Sequence, residues 1–79
     1  MRLDKFLKNS RIIKRRTVAK GACEQGRVEV NGKIAKPGFE LKEGDAIKIT
    51  FGTSVLEVRV EKLLDNVKKV DAESMYTVV

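Results

Sequence analysis

The sequence predicts an α+β fold in which two N-terminal helices pack on a small, mostly antiparallel sheet, followed by a short C-terminal helical turn. Apolar residues recur at helical spacing before Gly26 and at alternating positions after it. Asn31-Gly32, between two alternating stretches, is a strong signal for a two-residue β-hairpin. Because 79 residues can bury one core but not two, we expect a single domain over residues 1–79.

Two short helices are expected in the N-terminal third. The first is predicted over residues 2–9, where the apolar side chains are Leu3, Phe6 and Leu7. The second is predicted over residues 14–25, with an apolar stripe of Val18, Ala19, Ala22 and Cys23. Gly26 stands where a helix C-cap favours glycine. Gly21 inside the second helix costs about 1 kcal/mol relative to alanine, so we expect a close helix or backbone contact there as compensation.

Four strands and a helical turn account for most of the remaining chain. The hairpin supplies two strands across residues 27–35, and alternation predicts a third over Ala46–Phe51 and a fourth over Val55–Val60. One helical turn is predicted over Asp71–Tyr76. The apolar residues between them, Leu63, Leu64 and Val67, are too sparse to predict an element.

The composition excludes several classes of function. Without histidine and with one cysteine, the chain lacks the residues for a His/Cys metal site, a Ser-His or Cys-His catalytic pair or a disulfide framework. We therefore expect no enzyme, no catalytic residue, no metal and no cofactor, and a buried Cys23 thiol in a reducing cytosol. No run of about 18 apolar residues or signal-peptide core occurs, so we expect a cytoplasmic protein without membrane association.

Positive charge is concentrated in the first half of the chain. Residues 1–36 carry 11 basic and three acidic side chains, a net charge of +8, whereas residues 37–79 carry a net charge of −2. Such a local excess attracts polyanions, and nucleic acid is the leading class of partner. A solvated basic face without a ligand is the alternative. An anionic membrane surface is less favoured, since the first helix has only a short apolar stripe and the chain has no tryptophan.

Several motifs together resemble a known RNA-binding domain. They are RLDKFL at 2–7, SR at 10–11, IKRRT at 13–17, QGRVEVNGK at 25–33 and GD at 44–45. This combination resembles the S4-type RNA-binding domain, also called the αL motif, over about residues 2–51. Residues 52–79 would then form an extra strand and a C-terminal extension. Enzymes that carry this domain attach it to a catalytic domain, for which this chain has no room.

The C-terminal sequence KKVDAESMYT at 68–77 narrows the resemblance. With RLDKFL and IKRRT, it is similar to the family of bacterial ribosome-associated quality control P-site factors, relatives of the fifteen-kilodalton heat-shock protein. The resemblance implies a ribosome-associated protein that binds rRNA of the large ribosomal subunit and P-site peptidyl-tRNA. It also implies a partner protein that recruits alanyl-tRNA for C-terminal alanine tailing. We expect the protein to be a monomer. The long basic C-terminal tail of the heat-shock relative is missing, which disfavours a heat-shock-type role.

Arginines and lysines of the helices and hairpin are the candidate RNA-binding residues, because arginine binds phosphate bidentately and lysine adds charge. The set is Arg2, Lys5, Arg11, Lys14, Arg15, Arg16, Lys20, Arg27 and Lys33. Lys8 and Lys36 are expected to be solvated. Asp4 is interpreted as a helix-capping group or an orienting partner for a nearby arginine.

The aromatic residues could either pack in the core or stack on RNA bases. We expect Phe6, Phe39 and Phe51 to pack in the core, while Tyr76 stays open between the two roles.

The favoured function is that of a non-catalytic RNA-binding factor of the translation apparatus. One alternative is an rRNA-binding ribosome-assembly factor, or a heat-shock-type tRNA or ribosome rescue factor. Another is a small DNA-binding regulator that uses the second helix for recognition. The spread of basic residues over both helices and the hairpin argues against the DNA-binding alternative.

Overall fold

The computed structural model describes all 79 residues and contains three α-helices and one five-stranded sheet. The helices are α1 (Leu3–Asn9), α2 (Arg16–Glu24) and α3 (Lys69–Ala72), and a 3₁₀ turn spans Glu73–Met75. The strands are β1 (Val28–Val30), β2 (Lys33–Ile34), β3 (Ala46–Phe51), β4 (Ser54–Val60) and β5 (Tyr76–Val78). All neighbours in the order β2-β1-β3-β4-β5 are antiparallel. The predicted α+β class is confirmed.

The start of α1 is held by a loop from the middle of the chain. The Leu3 amide donates to the Phe39 carbonyl at 2.9 Å, and the Asp4 amide donates to the Pro37 carbonyl at 3.1 Å. Arg2 forms an isolated β-bridge with Glu40. The first amides of a helix have no partner inside the helix, so this loop supplies acceptors that α1 itself lacks and fixes where the helix begins.

One cluster of buried side chains connects the helices, the sheet and the C-terminal segment. Its members include Leu3, Phe6, Leu7, Ala19, Cys23, Val28, Ile47, Ile49, Val58 and Met75. Leu63, Leu64 and Val67 pack against this cluster from the connection between β4 and α3. Val18 is 55% exposed, so its predicted place in the apolar stripe of α2 is wrong. Ala19 and Cys23, four residues apart, form the buried stripe, and Val18 points away from it.

The hairpin has the predicted turn chemistry. Asn31 and Gly32 have φ values of 52° and 84°, as a type I′ turn requires. The Asn31 side chain also donates to Asp45 Oδ1 at 3.1 Å and accepts from the Ala46 amide at 3.0 Å. Asn31 therefore ties the β1–β2 hairpin to the turn that leads into β3.

The face of the sheet opposite the core carries charges of both signs. Glu29 lies beside Lys48, and Lys48 lies beside Glu57, in one row across β1, β3 and β4. Because opposite charges alternate in this row, the outer face does not contribute to the positive excess of the chain.

The structure corrects the predicted burial of two phenylalanines and the predicted extent of the C-terminal helical turn. Phe39 and Phe51 are 40% and 42% exposed, so of the three phenylalanines only Phe6 lies in the core. The helical turn near Asp71 is present, but Tyr76–Val78 then adds an edge strand that was not predicted. No helix is long enough to cross a bilayer, the longest, α2, having nine residues.

Gly21 has no close neighbour, so the predicted compensating contact is wrong. A methyl group built at this position would meet no atom within 4 Å beyond the adjoining residues and the backbone of its own helix, and the backbone is an ordinary helical one. The expected result of Gly21→Ala is a gain of about 0.5–1 kcal/mol in the free energy of unfolding, measured by urea denaturation. Gly26→Ala is the control, because φ of +74° strains any side chain there. Equal effects of the two substitutions would contradict this account.

Candidate nucleic-acid interface

A buried carboxylate organises the basic surface. The Asp4 side chain is only 3% exposed and lies in the first turn of α1. Arg2 Nε donates to Asp4 Oδ1 at 3.2 Å, and Arg2 Nη2 donates to Asp4 Oδ2 at 3.3 Å. Arg16 Nε lies 3.6 Å from Oδ2, and the Lys5 amide donates to Oδ1 at 2.8 Å. Asp4 is therefore the orienting partner of two arginines, one before α1 and one at the start of α2.

The two arginines keep about half of their side chains available to solvent. Arg2 and Arg16 are 50% and 48% exposed while each contacts the same carboxylate. A planar guanidinium has donors on more than one edge, so one edge can bind Asp4 while another binds a phosphate oxygen. The Arg2 guanidinium also lies over Gly38, where an added Cβ would stand 3.9 Å away. We call this unit, made of Arg2, Asp4 and Arg16, the arginine pair.

Cys23 lies beneath this surface as an inert thiol. Its burial, followed by the negative charges of Asp4 and Glu24, raises the pKa of Cys23 to about 11. The thiol is therefore protonated at neutral pH and is a poor nucleophile. No group of three or more histidine, cysteine, aspartate or glutamate side chains is placed to hold a metal ion.

The remaining predicted residues fall into separate places on the surface. Arg11 and Lys14 are exposed in the turn between α1 and α2 and line one groove, whereas Lys20 and Arg2 line a shallow depression beside Phe39. Arg15 is exposed just before α2. Arg27 and Lys33 are exposed near the hairpin and line neither the groove nor the depression.

Lys5 is already engaged by a carboxylate. Its Nζ lies 2.7 Å from Asp65 Oδ1, in the connection between β4 and α3. The hydrogen bond from Lys5, with its positive charge, lowers the pKa of Asp65. Lys5 thus contributes less free positive charge than its neighbours, and it joins α1 to the C-terminal segment.

Sequence reasoning missed the residues that bring the C-terminal segment to α1. Asn9 Nδ2 donates to the Leu64 and Asp65 carbonyls, both at 3.0 Å. This contact places Lys68 and Lys69 along the same groove as Arg11. The adjacent lysines are visible in the sequence, but nothing in their spacing shows that the chain returns to the helix turn.

The chain resembles known proteins in both sequence and fold. The S4 domain family matches residues 1–47. An "RQC P-site tRNA stabilizing factor" of Listeria monocytogenes is 53% identical over 79 residues, covering 100% of this chain and 86% of that protein. The chain belongs to the S4 domain family and, within it, to the family of this relative. The Bacillus subtilis member is 49% identical, covering 100% of this chain and 92% of the relative.

A solved structure has the same fold. The trimeric structure of Vibrio cholerae Heat Shock Protein 15 superposes with a TM-score of 0.93 at 31% identity. The match covers 100% of this chain and 81% of the Vibrio cholerae chain. The extension after the S4 match, including β4 and β5, therefore also has a counterpart of known structure.

The substitution Asp4→Asn tests whether RNA binding depends on the orientation of Arg2 and Arg16 or only on the positive charge of the surface. The substitution raises the net charge by one, so a surface that binds RNA only through its field would bind more tightly. We expect weaker binding, by about tenfold, because the neutral amide no longer holds two guanidinium groups in place. We also expect a loss of about 1–3 kcal/mol in unfolding free energy. RNA titration and urea denaturation measure the two effects, and tighter binding by a folded variant would contradict the orienting role.

Proposed function

We propose that this protein is a non-catalytic RNA-binding factor that stabilises P-site peptidyl-tRNA on the large ribosomal subunit during C-terminal alanine tailing in the cytoplasm. The observation that carries the proposal is the arginine pair, in which a buried carboxylate holds two half-exposed guanidinium groups. Membership of a family whose relatives are named P-site tRNA stabilizing factors supports the choice of tRNA.

The arginine pair suits a factor that acts by binding alone. A protein can shift a tRNA between positions only if it binds one arrangement better than the others. Guanidinium groups already fixed by Asp4 lose little conformational entropy when they meet phosphates, so more of the contact energy is available for that discrimination. Arg2 and Arg16 are therefore proposed to read the shape of the RNA backbone rather than its bases.

The distribution of charge favours one orientation on the ribosome. A cluster of exposed cations lies on α1, α2 and the turn between them, while the outer sheet face carries alternating signs. We propose that the helical side faces rRNA and tRNA. The outer sheet face would then stay accessible to the partner protein that recruits alanyl-tRNA.

The alternative function is that of an rRNA-binding assembly factor or a heat-shock-type rescue factor. It is supported by the TM-score of 0.93 to Heat Shock Protein 15. That structure is described as trimeric, whereas we propose a monomer for this chain, so light scattering of the purified protein tests the oligomeric state.

Arg2→Ala and Arg16→Ala test the proposed surface. Each is expected to reduce co-sedimentation with large ribosomal subunits by about tenfold, because a bidentate phosphate contact is lost. Since each change leaves Asp4 with one arginine, we also expect a loss of about 1 kcal/mol in unfolding free energy, measured by thermal denaturation. Lys48→Ala removes one charge from the outer sheet face and is the control. Wild-type sedimentation of both folded arginine variants would show that the surface is misplaced.

Deleting the gene tests the role in the cell. We expect fewer alanine-tailed nascent chains after induced stalling, with ordinary translation and subunit assembly unchanged. Tagged protein should recover more large subunits with P-site tRNA from stalled cells than from unstressed cells. Normal tailing together with equal recovery of empty subunits would favour the assembly-factor alternative.

A further inference from the structure

A groove of about 880 Å³ lies between the α1–α2 turn and the C-terminal segment. Five basic residues line it. Lys8, Arg11 and Lys14 come from α1 and the turn, and Lys68 and Lys69 come from the other end of the chain. We call it the turn–tail groove. It is distinct from the arginine pair, none of whose residues lines it.

The positive charge of the turn–tail groove is not neutralised within the protein. None of its five basic side chains lies within 4.0 Å of a carboxylate, since the ion pairs of the structure involve other cations. Two acidic residues line the groove, Asp65 and Glu73, and Asp65 is already paired with Lys5 at 2.7 Å. A concave surface with an unpaired excess of one sign concentrates the field and favours a polyanionic ligand.

The two walls of the groove are held in register by specific contacts. Asn9 donates to the Leu64 and Asp65 carbonyls, and Lys5 binds the Asp65 carboxylate. These contacts join residues that are 55 to 60 positions apart in the sequence. The groove is therefore built by the fold, and its lysines are not merely mobile charges on a free tail.

The backbone of Arg11 adds an independent observation. Its φ of 63° lies in the left-handed region, where glycine and asparagine are preferred. An arginine in that conformation is strained, and such residues cluster at functional sites. The strained position puts a guanidinium group on the wall of the groove, which gives the arginine a role that glycine could not fill.

The lining identifies the class of polyanion. Only three of the 13 lining residues are hydrophobic, which is too few for a typical small-molecule pocket or an apolar protein anchor. Tyr76 lines the groove, packs against the core and is half-buried, so its exposed part lies where a base of the bound segment would contact it. Cations that follow a groove, together with an aromatic ring, are the combination that binds single-stranded nucleic acid.

We propose that the turn–tail groove is a second RNA-binding site, which holds the sugar-phosphate backbone of a single-stranded RNA segment against Arg11, Lys68 and Lys69. Tyr76 stacks on one of its bases. The choice of RNA as the ligand class rests on the proposed function, whereas the position of the site rests on the groove itself. The proposal adds the C-terminal segment to the binding surface and gives Lys8 a contact in place of simple solvation.

The test compares two double variants that lose the same charge. Lys68→Ala/Lys69→Ala removes two cations from the groove, and Lys42→Ala/Lys48→Ala removes two exposed cations elsewhere. With a short oligouridylate as the probe, the groove variant should bind roughly tenfold more weakly, and its log-log salt slope should fall by about two. The control should stay within about twofold of wild type, because it changes only the overall field. Equal loss in both variants would overturn the proposal.

Two further measurements locate the site and identify the partner. In backbone amide NMR titrations with oligouridylate, signals of residues 8–14 and 65–76 should shift, and shifts confined to Arg2 and Arg16 would overturn the proposal. Arg11→Gly should weaken oligouridylate binding without lowering the thermal midpoint, since it relieves backbone strain. A lowered midpoint with unchanged binding would count against it. If polyglutamate binds as tightly as oligouridylate at the same ionic strength, RNA is not the preferred ligand of the groove, and an acidic protein takes its place as the inferred partner.

The outcome is separable from that of the proposed function. If oligouridylate binds in the groove but wild-type protein shows no preference for subunits carrying peptidyl-tRNA, the proposed function fails and the groove assignment stands. If that preference is present and Lys68→Ala/Lys69→Ala preserves it along with oligouridylate binding, the groove assignment fails and the function stands.

Discussion

The buried carboxylate of Asp4 constrains both the fold and the basic surface. A carboxylate that is 3% exposed has lost most of its water, so it is tolerated only with close positive partners and hydrogen bonds. Those partners come from opposite sides of the α1–α2 turn, Arg2 and Arg16. The contacts of Arg2 and Arg16 with Asp4 thus fix how α1 and α2 pack together, and they hold two guanidinium groups at the surface. The same interaction therefore stabilises the helix pair and holds the two arginines in position to bind phosphate.

The sequence was sufficient for those features that depend on local chemistry. The change of period at Gly26 and the type I′ turn at Asn31 are each set by near neighbours, and the structure shows both. For Asp4 the sequence left helix capping and arginine orientation open, and the contact with Arg16 of the next helix decides for orientation. Strand β5 escaped prediction because three residues carry too little pattern and pair only after the chain has returned to β4. Phe39 is exposed because it lies in a loop whose backbone conformation is set by another contact, the hydrogen bond from the Leu3 amide to the Phe39 carbonyl. Such features are set by tertiary contacts.

Charge and topology divide the molecule into two unlike sides. The core-facing residues of β3, such as Ile47, alternate with Lys48, which stands between Glu29 and Glu57 on the outer face. This pairing removes net charge from the outer face, while the helical side keeps an excess that direct contacts with Asp4, Asp65 and Glu40 reduce only in part. A polyanion therefore meets one preferred side, and close contacts then decide the register.

The C-terminal segment joins stability to binding. Helix α1 has seven residues and would be marginal alone, so it depends on packing and on partners such as Asn9 with the Leu64 carbonyl. A ligand that spans both walls of the turn–tail groove would bind only when this segment is docked, and it would stabilise the docked state by mass action. The lowered pKa of Asp65 fits this arrangement. A carboxylate whose pKa is lowered by folding contributes stability above its unfolded pKa and loses it as the pH falls through the lowered value. Asp65 is therefore ionised at neutral pH and pairs with Lys5 as a solvent-exposed contact. The Asn9 hydrogen bonds and the packing of Leu64 and Val67 hold the segment against the core.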